Sequence, residues 1–480
     1  MIPTPLGVSE TGAKPGGADA LRVSPANQMP SRAWLGMPRR LRSELAARPA
    51  AQNFAWLLAD RGVRLAVGIV VGSWSARYFG AGNFGLLNYA MALVAIFGSV
   101  IPLGMDALVV REIIRDESAA GHWIGTVMGF RALTACGCAV LSVLAVLLLR
   151  PGEMPALAIV SVLAAGTIAQ TLESGELLFE ARIQMRRLVI PRLGLFFVMN
   201  ALKIGLIIAG LSVFWFAVLF ALEISFSGLL TYLFVRGGLG PQNPLRFDFA
   251  RGWHLLRDSW PLAISGLVVI IYMKIGLIII GSLLGNAAVG IYAAAIRAPE
   301  AANFIPMVLA SSLLPGLLKT RELGAKVYNA ALLRNFRIFA LIAYAVCLPL
   351  SLGARWIIHL LFHDAYAASA PVMMVYVWSL VFAFLGVARG AYLLNERFTR
   401  LALFFSVTGL VVNLVCNWLL IPRLGVMGAA IATVLSYSIS VLFSSFLIPS
   451  MRNVARLQCL ALISPWMALR RDTDEKLQAQ

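Results

Sequence analysis

Long apolar stretches recur along this chain between residues 54 and 448, separated by polar connections. Each stretch is close to the roughly 20 residues that an α-helix needs to cross about 30 Å of hydrocarbon. The pattern predicts an all-α polytopic membrane protein with about twelve transmembrane helices. The predicted spans are 54–79, 84–110, 123–149, 154–179, 188–210, 212–235, 255–283, 287–315, 332–352, 368–393, 399–421 and 424–448.

Composition supports the membrane class. Hydrophobic residues make up 60% of the 480 residues, charged residues 13%, and the mean hydropathy is +0.83, whereas soluble domains are roughly 45–50% apolar. A nucleic-acid role is therefore disfavoured despite the pI of 10.3. The five cysteines have no spacing typical of a metal site or a disulfide framework. They are Cys136, Cys138, Cys347, Cys416 and Cys459.

The basic residues are distributed unequally between the two sides of the predicted bundle. The sequence has 40 Lys and Arg, and most of those outside the spans lie in the N-terminal segment, the longer connections and the C-terminal tail. The other side carries only Arg150, Arg355 and Arg423. By the positive-inside rule, both termini are predicted to be cytoplasmic.

Four regions follow from these patterns. Residues 1–50 are rich in Pro, Gly, Ala and Arg and lack the apolar core of a signal peptide, so we predict a disordered basic cytoplasmic arm. A Gly- and Pro-rich break at 236–254 divides six spans from six. The expected domains are an N-terminal six-helix lobe (51–240), a C-terminal six-helix lobe (241–450) and a cytoplasmic tail (451–480).

A weak internal repeat agrees with two lobes of equal orientation. The turns at 79–86 and 284–291 each place two glycines five residues apart, Gly80 with Gly85 and Gly285 with Gly290. Glycine suits a tight turn because it adopts positive φ without a Cβ penalty. Parallel repeats of this kind occur in some transporters.

Charges predicted to lie deep in the membrane are the informative candidates for function. Each costs roughly 2.5–3.5 kcal/mol on insertion scales, so it should face a bundle interior or a wet cavity. Cations outnumber carboxylates in this set. The deepest are Arg64, Lys203, Glu223, Lys274, Arg297 and Glu300, with Asp60, Arg61 and Arg131 at intermediate depth.

Span one admits two interpretations. Asp60 and Arg64 are four residues apart on one helical face, and Arg61 is three residues from Arg64. A local ion pair with a snorkelling arginine explains the pattern as well as a cavity role does.

Span eight slightly favours a functional role, and span seven carries an unpaired lysine. Arg297 and Glu300 are close enough along a helix to neutralise each other, but Pro299 interrupts the same span, and broken helices at mid-membrane are common transporter sites. Lys274 has no acidic residue within one turn, so its counterion must come from another helix or from a ligand. Lys203 with Glu223 is expected to be a structural interhelical pair.

Metal and catalytic sites are not indicated. His359 and His363 share a helical face beside Asp364 but lack a third convergent ligand. There is no P-loop, HExxH or Gly-x-Ser-x-Gly motif. We therefore expect no metal, no cofactor and no enzymatic activity; the largest connection on the less basic side, 353–367, is small for a polymerase or ligase.

Three groups of sequence stretches together resemble the polysaccharide-repeat (O-antigen type) flippases of the multidrug, oligosaccharidyl-lipid and polysaccharide exporter superfamily. The stretches are 76–86, 103–106 and 110–112; 259–262, 285–297, 304–306 and 314–315; and 412–413, 421–422 and 425–433. The resemblance implies two six-helix lobes around a central cavity that opens alternately to each face. It also implies a bacterial inner-membrane location, an undecaprenyl-pyrophosphate-linked oligosaccharide cargo, and partners in the polysaccharide polymerase machinery. One departure is that this chain has Lys274 and Gly276 where relatives typically carry an Asp in span seven.

These observations predict a flippase for exopolysaccharide, capsule or O-antigen synthesis. The expected pyrophosphate-facing cations are Arg61, Arg64, Lys274 and Arg297, and the candidates for coupling or ion pairing are Asp60, Glu223 and Glu300. A dianionic cargo in a low-dielectric cavity requires such a surplus of cations. Two alternatives stay open: a lipid II flippase and a cation-coupled multidrug exporter, although a cationic drug would need deep carboxylates instead.

Overall fold

A computed structural model describes residues 39–240, 242–321, 323–396 and 398–469. Most of the predicted arm, residues 1–38, and the end of the tail, residues 470–480, lie outside the described residues. The chain divides into a unit of residues 1–54 and a compact unit of residues 55–480. The membrane bundle belongs to the second unit.

The described residues are almost entirely helical and contain no strand. The α-helices are α1 Arg39–Gly98, α2 Asp106–Arg115, α3 Ala120–Leu149, α4 Met154–Gln170, α5 Glu176–Ala181, α6 Arg186–Ile208, α7 Val213–Leu239, α8 Phe249–Leu284, α9 Asn286–Ala302, α10 Phe304–Arg321, α11 Ala325–Leu352, α12 Ala354–Phe362, α13 Ser369–Tyr376, α14 Ser379–Asn395, α15 Thr399–Leu424, α16 Val426–Ser438, α17 Ser444–Leu447 and α18 Arg452–Ile463. A π-helical segment, Ile439–Phe443, joins α16 to α17, and a 3₁₀ turn, Pro465–Leu469, follows α18.

Ten helical segments in the described part of the chain are long and apolar enough to cross a membrane. The first two predicted spans are counted as one, Ala59–Gly98, which kinks at Gly80 (φ 69°, ψ 172°). The predicted span 287–315 is broken into α9 and α10 at Asn303, and neither half alone is both long and apolar enough to be counted. The all-α polytopic class is confirmed, and these two places account for the difference from twelve.

The hydrophobic core is organised into three large clusters. One cluster combines residues 76–217 with residues 277–430, so it joins the two halves of the sequence. A second draws on residues 103–255, and a third on residues 302–461. Members of the joining cluster such as Phe84 and Val289 follow directly after the turns at Gly80 and Gly285. We call this end of the bundle the turn end.

The two repeat turns interlock at the turn end. Gly80 and Gly285 both adopt positive φ, 69° and 83°. A Cβ added at Gly85 would lie 1.7 Å from the carbonyl oxygen of Asn286, and one added at Gly290 would lie 2.1 Å from that of Ala81. The two contacts are reciprocal, because Ala81 and Asn286 occupy equivalent positions in the two repeats. The glycine pairs are therefore needed for close approach of two helix backbones as well as for the turns.

Candidate functional site

The predicted residues of span one lie along one face of α1. Arg64 Nε donates to Asp60 Oδ1 at 2.8 Å, and the Arg64 guanidinium lies over the ring of Phe196 on α6, 4.9 Å from its centroid. The Arg64 side chain is 33% exposed, and Arg61 is exposed. The local ion pair is thus present, and it leaves part of the Arg64 surface uncovered.

Arg297 extends from α9 to the same face of α1. Its Nη2 donates to the carbonyl oxygen of Gly68 at 3.3 Å. A Cβ at Gly72 would lie 2.6 Å from this nitrogen, so only glycine leaves room for the guanidinium in this position. Asp60, Arg64, Gly68 and Gly72 are spaced four residues apart, which places them on one helical face. Arg64 and Gly68, whose carbonyl oxygen accepts from Arg297, are therefore one helical turn, about 6 Å, apart on α1.

Glu300, one turn after Arg297 on α9, pairs with Lys274 on α8. The Lys274 Nζ lies 3.2 Å from Glu300 Oε1 and 3.4 Å from Oε2, and each side chain is 25% exposed. The counterion of Lys274 therefore comes from another helix. The direct Arg297–Glu300 pair suggested by their spacing is not among the ion pairs of the described residues, because Glu300 faces Lys274 instead.

These groups form one continuous polar row, which we call the α1–α9 strip: Asp60, Arg64, Gly68, Arg297, Glu300 and Lys274. Within the strip, two cations have carboxylate partners. Arg297 instead donates to a main-chain carbonyl and interacts electrostatically with Glu300, which also pairs with Lys274. The strip therefore has one cation more than it has carboxylates. The strip also connects the two halves of the sequence, since α1 lies in the first and α8 and α9 in the second.

Lys203 and Glu223 lie away from the strip and pair with each other between α6 and α7. The Lys203 side chain is 4% exposed, and its Nζ lies 3.8 Å from the ring centroid of Phe220. This is the structural interhelical pair that the sequence favoured. The carboxylate of Glu223 is used to neutralise a buried lysine.

Sequence reasoning missed a polar cluster beside Lys274. The rings of Tyr272 and Tyr437 are 4.7 Å apart, Ser436 Oγ donates to Tyr272 Oη at 3.3 Å, and Asn413 Nδ2 donates to Ser436 Oγ at 3.1 Å. Asn417 Oδ1 is buried without a hydrogen-bond partner in the described structure. Two asparagines four residues apart in an otherwise apolar span were the available signal.

Arg389 was also missed, because it lies four residues from the end of the predicted span 368–393, where long cationic side chains commonly snorkel. It is only 5% exposed and lies over the ring of Phe405, 4.0 Å from the centroid. Its Nη1 donates to the carbonyl oxygens of Ser440 and Val441 at 2.9 and 2.8 Å. These carbonyls belong to the π-helical segment, so the arginine satisfies acceptors that a regular helix would have paired internally.

A second missed arginine joins the two halves at the turn end. Arg150 Nη1 donates to Glu153 Oε2 at 2.9 Å and to Asn286 Oδ1 at 2.5 Å, and the guanidinium lies 3.8 Å from the ring centroid of Tyr89. Arg150 Nη2 donates to the carbonyl oxygen of Gly281, and Asn286 Nδ2 donates to Glu153 Oε1 at 2.7 Å. We call these five residues the turn-end network.

Comparison with known proteins identifies a matching sequence family and several solved structures with a similar fold. The sequence profile of a family described as polysaccharide biosynthesis protein matches residues 76–371, more than half of the chain. No curated protein sequence gives a significant match.

Several solved structures share the fold. A multidrug resistance MATE family transporter of the MOP superfamily in an inward-facing conformation is 17% identical, with a TM-score of 0.66 over 82% of this chain and 94% of that chain. The lipid II flippase MurJ in an inward closed conformation is 14% identical, with a TM-score of 0.66 over 87% of this chain and 92% of that chain. A MOP superfamily transporter from Pyrococcus furiosus is 17% identical, with a TM-score of 0.53 over 85% and 93% of the two chains.

Proposed function

Since the chain belongs to the polysaccharide biosynthesis protein family, we propose that it is a flippase for an undecaprenyl-pyrophosphate-linked oligosaccharide repeat unit. It would move this cargo across the bacterial cytoplasmic membrane by alternating access, for exopolysaccharide, capsule or O-antigen synthesis. The family and the transporter fold support a membrane flippase rather than an enzyme. The choice of cargo depends on the charges of the α1–α9 strip.

The observation that carries the proposal is the contact of Arg297 with α1. A guanidinium placed between the two halves, with a main-chain carbonyl as its acceptor, retains donors and net charge for an anionic ligand. Its planar fork matches phosphate oxygens. Because charges interact more strongly in a low-dielectric interior than in water, this cation would offset the desolvation of a pyrophosphate.

The other residues of the proposed site would contribute less directly to cargo binding than Arg297. Arg64 and Arg61 would extend the cationic surface along α1, since both retain exposed surface. Lys274 would act through its pair with Glu300. Each candidate coupling carboxylate, Asp60, Glu223 and Glu300, is engaged by a neighbouring cation, which favours an ion-pair role for all three.

The proposed orientation has both termini in the cytoplasm, because the connections at the turn end carry few basic residues. In that orientation the joining cluster and the turn-end network would close the periplasmic side. Cargo would then enter the α1–α9 strip from the cytoplasmic side. The polymerase machinery would receive it after the turn end opens.

A lipid II flippase is the main alternative, and MurJ shares this fold. A multidrug exporter also shares it, but its cationic cargo would meet a strip with more cations than carboxylates. A MOP superfamily transporter from Pyrococcus furiosus has been described as having a binding pocket of reverse polarity, so polarity is a sound criterion within this fold.

The test is deletion of the gene in its host, followed by complementation with wild type, Arg297→Gln, Arg297→Lys and the exposed control Arg257→Gln. Intact spheroplasts are first treated with a membrane-impermeant sugar-modifying reagent, which reaches only the outer leaflet. Undecaprenyl-linked material is then extracted, and the modified fraction gives its leaflet. We expect a complete lipid-linked repeat to accumulate in the cytoplasmic leaflet unless wild type or Arg257→Gln is supplied. Arg297→Gln should lose about tenfold or more of the export rate, because a hydrogen bond to a charged group is worth roughly 1.5–3 kcal/mol.

Two outcomes would contradict the proposal. Accumulation of lipid II with cell lysis would identify the cell-wall precursor as the cargo. Normal polysaccharide together with sensitivity to cationic dyes would identify a drug exporter.

A further inference from the structure

A cleft of about 1110 Å³ lies outside the α1–α9 strip, between α10, the start of α11 and the C-terminal 3₁₀ turn Pro465–Leu469. None of the strip residues lines it. Small residues leave the space open, among them Ser312 and Gly316 on α10 and Ala330 on α11. We call it the α10–α11 cleft.

The described lining of the α10–α11 cleft is basic. Lys326 and Arg337 line it together with Arg334, and the described lining residues include no Asp or Glu. Lys326, Ala330, Arg334 and Arg337 recur at helical spacing, so they share one face of α11. The opposite face of α11 carries Leu332 and Phe336 and packs into the core.

Arg337 has hydrogen-bonding capacity that the described protein groups leave unused. Its Nη2 donates to Ser464 Oγ at 3.3 Å, whereas its Nη1 has no acceptor among the described groups and is not one of the buried unpaired atoms. An anionic oxygen in the cleft would supply an acceptor for this nitrogen. This feature and the lack of carboxylates in the described lining both indicate an anionic ligand.

The cleft is apolar deeper in the bundle. Leu313 and Leu317 on α10 and Ile338 on α11 line its inner part. The helix α11 has 28 residues, about 42 Å, which exceeds the roughly 30 Å of hydrocarbon. Its first two turns, with Lys326, therefore extend to headgroup depth. Arg337 begins about 16 Å further along the helix, and its long side chain points back towards the helix N-terminus. The leucines face the acyl-chain region.

We propose that the α10–α11 cleft binds an anionic membrane phospholipid, with the phosphate headgroup at Lys326 and Arg337 and an acyl chain along Leu313 and Leu317. Basic pockets between transmembrane helices bind anionic headgroups in this way. The site is separate from the proposed transport site and does not depend on the cargo. A bound lipid would contact α10, α11 and the C-terminal turn together, and would hold that turn against the bundle.

The test is native mass spectrometry of the purified full-length protein, titrated with phosphatidylglycerol, phosphatidylethanolamine and undecaprenyl phosphate. The double variant Lys326→Gln/Arg337→Gln removes two cations from the cleft, and Arg236→Gln/Arg257→Gln removes two exposed cations elsewhere. Gly316→Leu fills the cleft without changing charge, and no atom lies within 4 Å of a Cβ built at this glycine. Arg337→Lys retains the charge if loss of the Ser464 contact affects folding.

We expect wild type, Arg337→Lys and Arg236→Gln/Arg257→Gln to retain phosphatidylglycerol. The cleft double variant should bind it about twenty-fivefold more weakly, because each cation near an anionic headgroup contributes about fivefold. Gly316→Leu should also reduce binding. Equal retention of phosphatidylglycerol by all variants, or equal retention of phosphatidylethanolamine by wild type, would overturn the site. Retention of undecaprenyl phosphate in place of phosphatidylglycerol would overturn the phospholipid assignment and make the cleft a cargo-docking site.

Discussion

The turn-end network and the α1–α9 strip both connect the two halves of the sequence through an arginine, but they use it differently. Arg150 is almost fully buried, and it contacts a carboxylate, a side-chain amide, a carbonyl and an aromatic ring. Arg297 contacts one carbonyl oxygen at 3.3 Å. Protein groups satisfy the donors and the charge of Arg150, whereas Arg297 has one described hydrogen bond and shares the charge of Glu300 with Lys274.

Under the proposed function, this difference separates a cation that stabilises the structure from one that is available for a ligand. A charge that is fully paired stabilises one conformation, and removing it leaves partners unsatisfied. A charge that is sparsely paired contributes little to stability and can interact with cargo. Under alternating access, the turn-end network would also have to break and reform in each cycle.

The largest expected effect separates the two arginines. Arg150→Met should destabilise the protein by about 3–5 kcal/mol, because Glu153 and Asn286 lose a buried partner. Arg297→Met should leave the melting temperature within a few degrees of wild type while polysaccharide export is lost. Thermal unfolding of purified protein and export in the deletion strain measure the two quantities. If Arg297→Met destabilised the protein as much as Arg150→Met, Arg297 would be structural and the comparison would fail.

The second effect concerns the interlock at the turn end. Gly85→Val should destabilise the protein by about 1–3 kcal/mol or more, since the new side chain meets the Asn286 backbone, which cannot rotate away. Gly82→Val is the matched control, because no atom lies within 4 Å of a Cβ built there. Thermal unfolding is again the measurement. Equal melting temperatures for the two variants would show that the helices can separate at this point without cost.

The sequence was informative about features that repeat and uninformative about contacts between distant helices. Periodic apolar stretches predicted the all-α membrane fold, and the glycine spacing in the turns predicted a repeat that the reciprocal contacts of Gly85 and Gly290 support. The Lys203–Glu223 pair was also predicted. The partner of Glu300 was not, because helical spacing pointed to Arg297 and only the packing of α8 against α9 brings Lys274 closer. The contacts of Arg150 were not predicted, since nothing in the local sequence indicates that Asn286 and Gly281 cover it.

A third effect tests whether the Lys274–Glu300 pair belongs to the site or only to the structure. Lys274→Met or Glu300→Met alone should cost about 1–3 kcal/mol, because each leaves a partly buried charge without its partner. The exchange Lys274→Glu/Glu300→Lys should recover most of this stability. We expect export to stay impaired in the exchanged variant, because the positions of the cation and the carboxylate relative to Arg297 are reversed. Full recovery of export would assign the pair a purely structural role.

The smallest effect is expected for the ion pair on α1. Asp60→Asn should change stability by only about 0.3–0.5 kcal/mol, because the pair is an i,i+4 contact and Arg64 keeps a third of its surface exposed. Its effect on cargo should be opposite in sign to that of Arg297→Gln, since removing a carboxylate increases the net positive charge of the strip. Affinity for a soluble pyrophosphate-linked sugar analogue, measured by calorimetry on purified protein, should therefore rise slightly in Asp60→Asn. A fall in affinity would mean that Asp60 positions Arg64 for the ligand, and that the strip depends on this pair for geometry more than on its net charge.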